Sequence, residues 1–214
     1  MDKFPYISTL LNIQIKRFEI ETIFDIGAYT GNSSVPIART FSYANVYAIE
    51  PFHNNYCELV TRSADLDNYF VYELAISNCD GTASLFVPFD DMTQSASLHN
   101  SSENCPRVFC SCMTLSSFCK KIKYQPGLLL INCEGSEFEI FEDKDAKSII
   151  AESRIIDLSL HGKTFKYLSE GYAKKKKVIN DYLLKVGFIC IYGSPIKDIR
   201  RMYTGHIRQI WIRE

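Results

Sequence analysis

The ten residues from Thr22 to Gly31 constrain the fold more than any other stretch of the chain. Thr22-Ile23-Phe24-Asp25-Ile26 is short and mostly apolar, as a strand covered on both faces is, and it runs straight into Gly27-Ala28-Tyr29-Thr30-Gly31. Two glycines four residues apart let the backbone turn sharply and approach a ligand with no Cβ in the way. A helical pattern follows from Asn32 to Phe41, with Pro36 tolerable only near its first turn. Strand, glycine turn and helix in that order open a βαβ unit and so predict a mostly parallel sheet.

The alternation continues along the chain. Phe4 to Phe18 has near-helical apolar spacing and reads as a leading helix within residues 1–20. Val46 to Ile49 is a second strand ending at Glu50-Pro51, His53 to Ser63 a helix, and Phe70 to Ile76 a third strand. Asp80-Gly81 suits the positive dihedrals of a tight turn and predicts a hairpin into Ala83–Val87. Residues 88–106 are rich in Asp, Ser and Asn without periodicity, so 88–113 is expected to be a functional loop region on the acceptor side. Thr114 can cap a helix through Lys121, Leu128 to Cys133 is the most apolar and central strand, and Glu137 to Glu142 is helical. Arg154 to Leu160 is a strand, and Lys174 to Val186 a helix closed by Gly187. Phe188 to Tyr192 and His206 to Ile212 come last and are read as antiparallel to each other. With no repeat or linker, residues 1–214 read as a single α/β domain with an extra hairpin after strand 3.

Length and composition agree with that reading: 214 residues, 46% hydrophobic, suffice for one full-sized core. The net charge of −1 hides an acidic first half, residues 1–107 holding 6 Lys and Arg against 13 Asp and Glu. That balance disfavours a nucleic-acid partner. Met1-Asp2-Lys3-Phe4-Pro5 lacks a signal-peptide pattern, and Leu128-Leu129-Leu130-Ile131 is too short to span a bilayer, so a cytoplasmic protein with reduced thiols is expected. The irregular spacing of Cys105, Cys110, Cys112 and Cys119 gives little support to a zinc site.

The chemistry begins at the first turn. The helix after it offers unpaired N–H groups to a negative ligand end. Glu50 ends the second strand, where a carboxylate in open α/β sheets meets ribose hydroxyls. A pyrophosphate prefers Gly-x-Gly-x-x-Gly and would be repelled by Asp25. The pattern here is Asp-x-Gly-x-x-x-Gly, and Asp25 suits the cationic amino group of an aminoacyl sulfonium such as S-adenosylmethionine.

The ordered set Phe24-Asp25-Ile26-Gly27-Ala28-Tyr29-Thr30-Gly31, Ile49-Glu50-Pro51, Ala75-Ile76-Ser77 with Asp80-Gly81, Ser95-Ala96-Ser97-Leu98, Thr114-Leu115-Ser116-Ser117-Phe118 and Cys133-Glu134-Gly135-Ser136-Glu137 resembles the FkbM-type family of class I S-adenosylmethionine-dependent methyltransferases. The resemblance spans roughly residues 22 to 160 and implies a Rossmann-like, mostly parallel seven-stranded sheet with helices on both faces. It implies S-adenosylmethionine as cofactor and a hydroxyl oxygen, often on a sugar or glycan, as acceptor. Carried over by position, Asp25, Gly27 and Gly31 would bind the methionine part, with Ala28, Tyr29, Asn32 and Ser33 around the same turn. Glu50, beside Pro51 and Phe52, would hold the ribose. Ala75, Ile76 and Ser77 would border the adenine, and Asn132 would close the shell. Asn132 departs from the family, whose members usually carry Asp there, and its neutrality weakens this position as a base or strong metal ligand.

A sugar hydroxyl is a poor nucleophile while protonated, so a positioned base should help. His161, at a strand end facing the crevice, is the preferred base, with Glu134 as a second base or as the carboxylate that orients His161. Asn132, Glu134 and His161 together could ligate a divalent metal, but oxygen-rich sites usually use more carboxylates, and metal dependence is not favoured. Lys174-Lys175-Lys176-Lys177 could contact a phosphate or glycan, but neighbouring helical residues do not share a face, so the run is read as a solvated helix start. Lys197, Arg200 and Arg201 are read with the same caution, and Tyr29, Phe52 and Phe89 could stack on a ring. The alternatives to sugar O-methylation are RNA ribose 2'-O-methylation, a non-catalytic cofactor-binding module and an NAD-dependent oxidoreductase.

Overall fold

The alternation of strand and helix is realised in the computed structural model, which describes residues 5–87, 96–99, 105–161, 171–193 and 206–214. In chain order the first elements are α1 (Pro5–Arg17), β1 (Thr22–Ile26), α2 (Ser34–Thr40), β2 (Asn45–Ile49), α3 (His53–Arg62), β3 (Tyr69–Tyr72), β4 (Ala75–Ser77), β5 (Gly81–Phe86) and β6 (Arg107–Thr114). They are followed by α4 (Leu115–Ile122), β7 (Leu128–Ile131), α5 (Glu137–Glu142), α6 (Lys144–Glu152), β8 (Ile155–His161), α7 (Tyr172–Lys185), β9 (Ile189–Tyr192) and β10 (His206–Ile212). Ser95, Phe89, Lys197, Arg200 and Arg201 lie outside the described residues.

Among the described residues one seven-stranded sheet runs in the order β3-β2-β1-β7-β8-β10-β9. Strands β3, β2, β1, β7 and β8 are parallel, and β10 runs antiparallel to both β8 and β9. The all-apolar β7 lies in the interior of the sheet with every residue buried, because both of its faces are covered. On one face Ile23, Leu128, Leu130 and Ile155 pack with Ile7, Leu11 and Ile15 of α1 and with Val35 and Ala38 of α2. On the other, Phe24, Leu129, Ile131 and Ile156 pack with side chains of α4, α5, α6 and α7, among them Phe118, Phe138, Ile150 and Leu183. The chain leaves β1 towards β2 on one side and returns to β7 on the other. A crevice therefore opens at the carboxyl ends of β1 and β7, the topological switch point of the sheet.

One local expectation is corrected. The third strand divides, its second part β4 leaving the main sheet to join β6 and β5 in a three-stranded sheet ordered β4-β6-β5. The antiparallel partner of β5 is therefore β6, from the region expected to be loop, and not the strand before the Asp80-Gly81 turn. Asp80 is engaged elsewhere: its carboxylate accepts from Thr114 N–H at 2.7 Å and from the Ser117 hydroxyl at 2.6 Å, tying the turn to the start of α4. Thr114 caps that helix as expected, its hydroxyl accepting from Ser117 N–H at 3.1 Å. No helix among the described residues is long and apolar enough to cross a membrane.

Candidate active site

The turn after β1 is closed by contacts that leave no room for a side chain. Gly27, at φ +80°, and Ala28 both donate to the carbonyl of Ile49, at 2.9 and 3.0 Å. A Cβ on Gly27 would stand 2.1 Å from the carbonyl oxygen of Asn132, so the exit of β7 is pressed against the turn. Asn132 N–H in turn donates to Ile26 O at 2.9 Å. Tyr29 sits at φ +53°, a left-handed conformation costly for a residue with a side chain. Its N–H donates to Glu50 Oε2 at 2.9 Å. Phe52 N–H and Asn55 Nδ2 donate to the other oxygen at 3.0 and 3.2 Å. Burial raises the Glu50 carboxyl pKa, and these three donors offset part of that rise.

Asp25 is 3% exposed, and its Oδ2 meets no hydrogen-bond partner among the described residues. Burial pushes its pKa up to about 7; the Ser34 hydroxyl and the Arg208 charge oppose the rise, while the nearby charges of Asp157 and Glu50 reinforce it. An unsatisfied buried carboxylate oxygen is costly to maintain, and here it borders a cavity of about 580 Å³. Of the expected cofactor residues, Asp25, Gly27, Ala28, Tyr29, Asn32, Ser33, Glu50, Pro51, Ala75, Ile76 and Asn132 line that cavity. Gly31, Phe52 and Ser77 do not reach its wall. Gly31, at φ +77°, allows close packing, since a Cβ there would meet Val35 and Leu59 at 2.5 and 2.6 Å. Ser77 donates its hydroxyl to Glu139, joining β4 to α5.

The far lip is built by the loop between β7 and α5. Glu134 and Gly135 both have positive φ, +50° and +113°, and the Ser97 hydroxyl holds Glu134 O at 2.6 Å. Glu134 lines the cavity. Behind it, Glu137 is fully buried and accepts from Gly135 N–H at 2.8 Å, from His161 N–H at 2.7 Å and from His161 Nδ1 at 2.8 Å. Nε2 of the same ring lies 3.2 Å from Glu134 Oε1. Burial alone would lower the His161 pKa, but the two carboxylates outweigh it and push it up to about 10. The Glu137 carboxyl is lowered in return: its hydrogen bond to His161 and the ring's charge overcome desolvation. At neutral pH the ring is thus an imidazolium donating from both nitrogens, and Glu134 is the member of this set that faces the cavity. Among the described residues no three His, Cys, Asp or Glu side chains are gathered so as to hold a metal ion.

The sequence reading did not single out Glu137, Asp157, Ser159 or Arg208, and it took Lys176 with its lysine neighbours for a solvated helix start, whereas Lys176 alone of the four is buried, on the inward stripe of α7. All but Glu137 line the cavity, and Glu137 acts through His161. Signals were present. Asp157 and Arg208 are charges inside strands whose other residues are mostly apolar, and Lys176 shares the 4-and-3 spacing of Tyr172, Ile179 and Leu183 that marks the buried stripe of α7. Glu137 gave less warning, since an acidic residue in a first helical turn is ordinary.

A family profile described as "Methyltransferase FkbM domain" matches residues 25–190. No curated protein matches the chain. Among solved structures, a chain of a fibrillarin/Nop5p complex is 12% identical with a TM-score of 0.54, covering 98% of this chain and 83% of that one. An rRNA methylase from Streptococcus thermophilus is 10% identical with a TM-score of 0.53, covering 100% and 98%. An O-methyltransferase from Bacillus cereus in complex with SAH is 11% identical with a TM-score of 0.50, covering 100% and 83%. At such identities these likenesses speak to the fold alone.

Proposed function

The chain belongs to the FkbM methyltransferase family and is an S-adenosylmethionine-dependent methyltransferase; on that premise we propose that it methylates a hydroxyl oxygen of a sugar or glycan in the cavity between β1 and β7. The residues present fit the cofactor. The unsatisfied Asp25 Oδ2 suits its ammonium group, and the absent Cβ of Gly27 lets the backbone approach its methionine part. Glu50, already braced by three donors, presents a fixed carboxylate for the ribose hydroxyls. Ala75 and Ile76 offer an apolar border for the adenine, and Asn132 completes the shell. The bound sulfonium supplies an already activated methyl group, so alignment and exclusion of water are the main demands on the protein.

Glu134 carries the assignment of oxygen as acceptor. An acceptor hydroxyl must lose its proton, and Glu134 is a carboxylate at the cavity wall with a buried imidazolium 3.2 Å behind it. In this reading the hydroxyl proton passes to Glu134, while His161, anchored by Glu137, donates to Glu134 and fixes its orientation. His161 is then a positioning residue, the second of the two roles expected for the pair but with the partners exchanged. The test is transfer of labelled methyl to a panel of glycans, with mass spectrometry locating the product. An O-methyl sugar supports the reading, and methylation confined to nitrogen or to RNA ribose removes it.

A further inference from the structure

The cavity is divided by charge. Its cofactor end carries the carboxylates of Asp25 and Glu50, whereas the wall built by β8, β10, the end of β9 and α7 carries Lys176, Arg208, Ser159 and Tyr192. Lys176 is 5% exposed, while Lys174, Lys175 and Lys177 beside it are exposed to solvent. It therefore sits on the inward stripe of α7, where an ammonium loses hydration that an apolar side chain would not miss. Arg208 lies opposite Ser159 in the antiparallel register of β8 and β10. Its Nε and Nη2 grip the two oxygens of Asp157 at 2.8 and 2.5 Å. That fork fixes the guanidinium plane at the wall and offsets the charge of Asp157, which would otherwise repel an anion. None of these groups belongs to the cofactor shell described above.

We propose that this wall is a subsite for an anionic group on the acceptor, a carboxylate or phosphate borne by the sugar whose hydroxyl is methylated. The inference rests on the reading of the same cavity as the methyl-transfer site. Lys176 supplies the net positive charge, Arg208, balanced by Asp157, an oriented guanidinium, and Ser159 a neutral donor. The Tyr192 ring gives the apolar face of the sugar a surface.

Calorimetry with D-glucuronate, glucose 1-phosphate and glucose, on the full chain saturated with S-adenosylhomocysteine, tests this. At least one anionic probe should bind at least about tenfold more tightly than glucose. The tighter of the two anions identifies carboxylate or phosphate as the group recognised. Lys176→Gln should bring the ratio to glucose below about threefold, and Lys176→Arg should keep most of it. Should Lys176→Gln fail to fold, Lys176→Met and Arg208→Lys carry the same comparison. Equal affinity for the three probes, or a ratio that loss of the lysine charge leaves unchanged, overturns the subsite. Failure to bind S-adenosylhomocysteine at all counts instead against the cavity as the cofactor site, which keeps the two outcomes distinct.

Discussion

Glu137, wholly buried in α5, places Oε1 2.8 Å from Nδ1 of His161 and 2.7 Å from the backbone N–H of the same residue. Two hydrogen bonds from one residue to one carboxylate oxygen lock the ring at the end of β8, and the ring in turn meets Glu134 at the cavity wall.

That lock makes stability depend on pH. The His161 pKa is raised from 6.5 to about 10, so its contribution is complete below about pH 6.5 and disappears as pH rises through about 10. The Glu137 pKa is lowered from 4.5, so its contribution is present above that value and is lost as pH falls through its folded value. Thermal unfolding followed across pH should therefore show this pair's contribution to stability at its fullest between these limits, with a decline towards alkaline pH. His161→Gln should cost roughly 3 kcal/mol at pH 6 and flatten the alkaline decline. An unchanged pH profile in the variant would mean that the ring carries no extra proton.

Glu134 and His161 should separate kinetically from the cofactor. Glu134→Gln keeps the shape of the side chain and removes its basicity, so turnover should fall about a hundredfold while cofactor affinity stays within about twofold. Single-turnover kinetics with a methylated product checks this. Full turnover by the variant would exclude Glu134 as the proton acceptor.

Asp25 is held out of water with its pKa near 7, so its ionisation opposes folding as pH rises from 3.8 through about 7. Asp25→Asn should leave the chain as stable or more so at pH 8, by roughly 1–3 kcal/mol. The same variant should bind S-adenosylmethionine at least about tenfold more weakly at pH 8. Native affinity should rise with pH through 7, and the variant should show no such rise, both measured by calorimetry. Equal affinities at pH 8 would displace the ammonium from this carboxylate.

Gly27→Ala combines an unfavourable φ with a Cβ 2.1 Å from Asn132 O, whereas Gly171, at φ +85°, has nothing within 4 Å. Urea unfolding should put Gly171→Ala at about 1–2 kcal/mol and Gly27→Ala at least about 2 kcal/mol beyond it. Similar costs at the two positions would mean that the β1 turn and the β7 exit can part easily.

The parallel sheet was legible because its strands are unmixed apolar runs. Leu128–Ile131 reads as a buried strand under any pairing, and the glycine turn after Thr22–Ile26 makes the next element a helix. β6 escaped notice for a physical reason. Arg107–Thr114 covers its inner face with Cys110 and Cys112, small side chains that give weak alternation, and leaves Val108 and Phe109 outside. α6 is short, and its buried stripe amounts to a single turn of Ala146, Ile149 and Ile150, too little to stand out from the residues on either side. At the site, the ends of β1, β2 and β7 were readable from motif spacing. Lys176 and Arg208 come from α7 and β10, whose proximity to β1 is a property of the fold and not of any local segment.

The bracing of Glu50 has a consequence for how this protein tolerates mutation. Its carboxylate pins Tyr29 in a left-handed turn and holds Phe52 and Asn55 at the start of α3, whether or not a ligand is near. With Glu50 proposed to hold the ribose, recognition and architecture would be fused in one side chain. A genetic screen for chains that fold yet ignore the cofactor should find its survivors at Asp25 and almost none at Glu50.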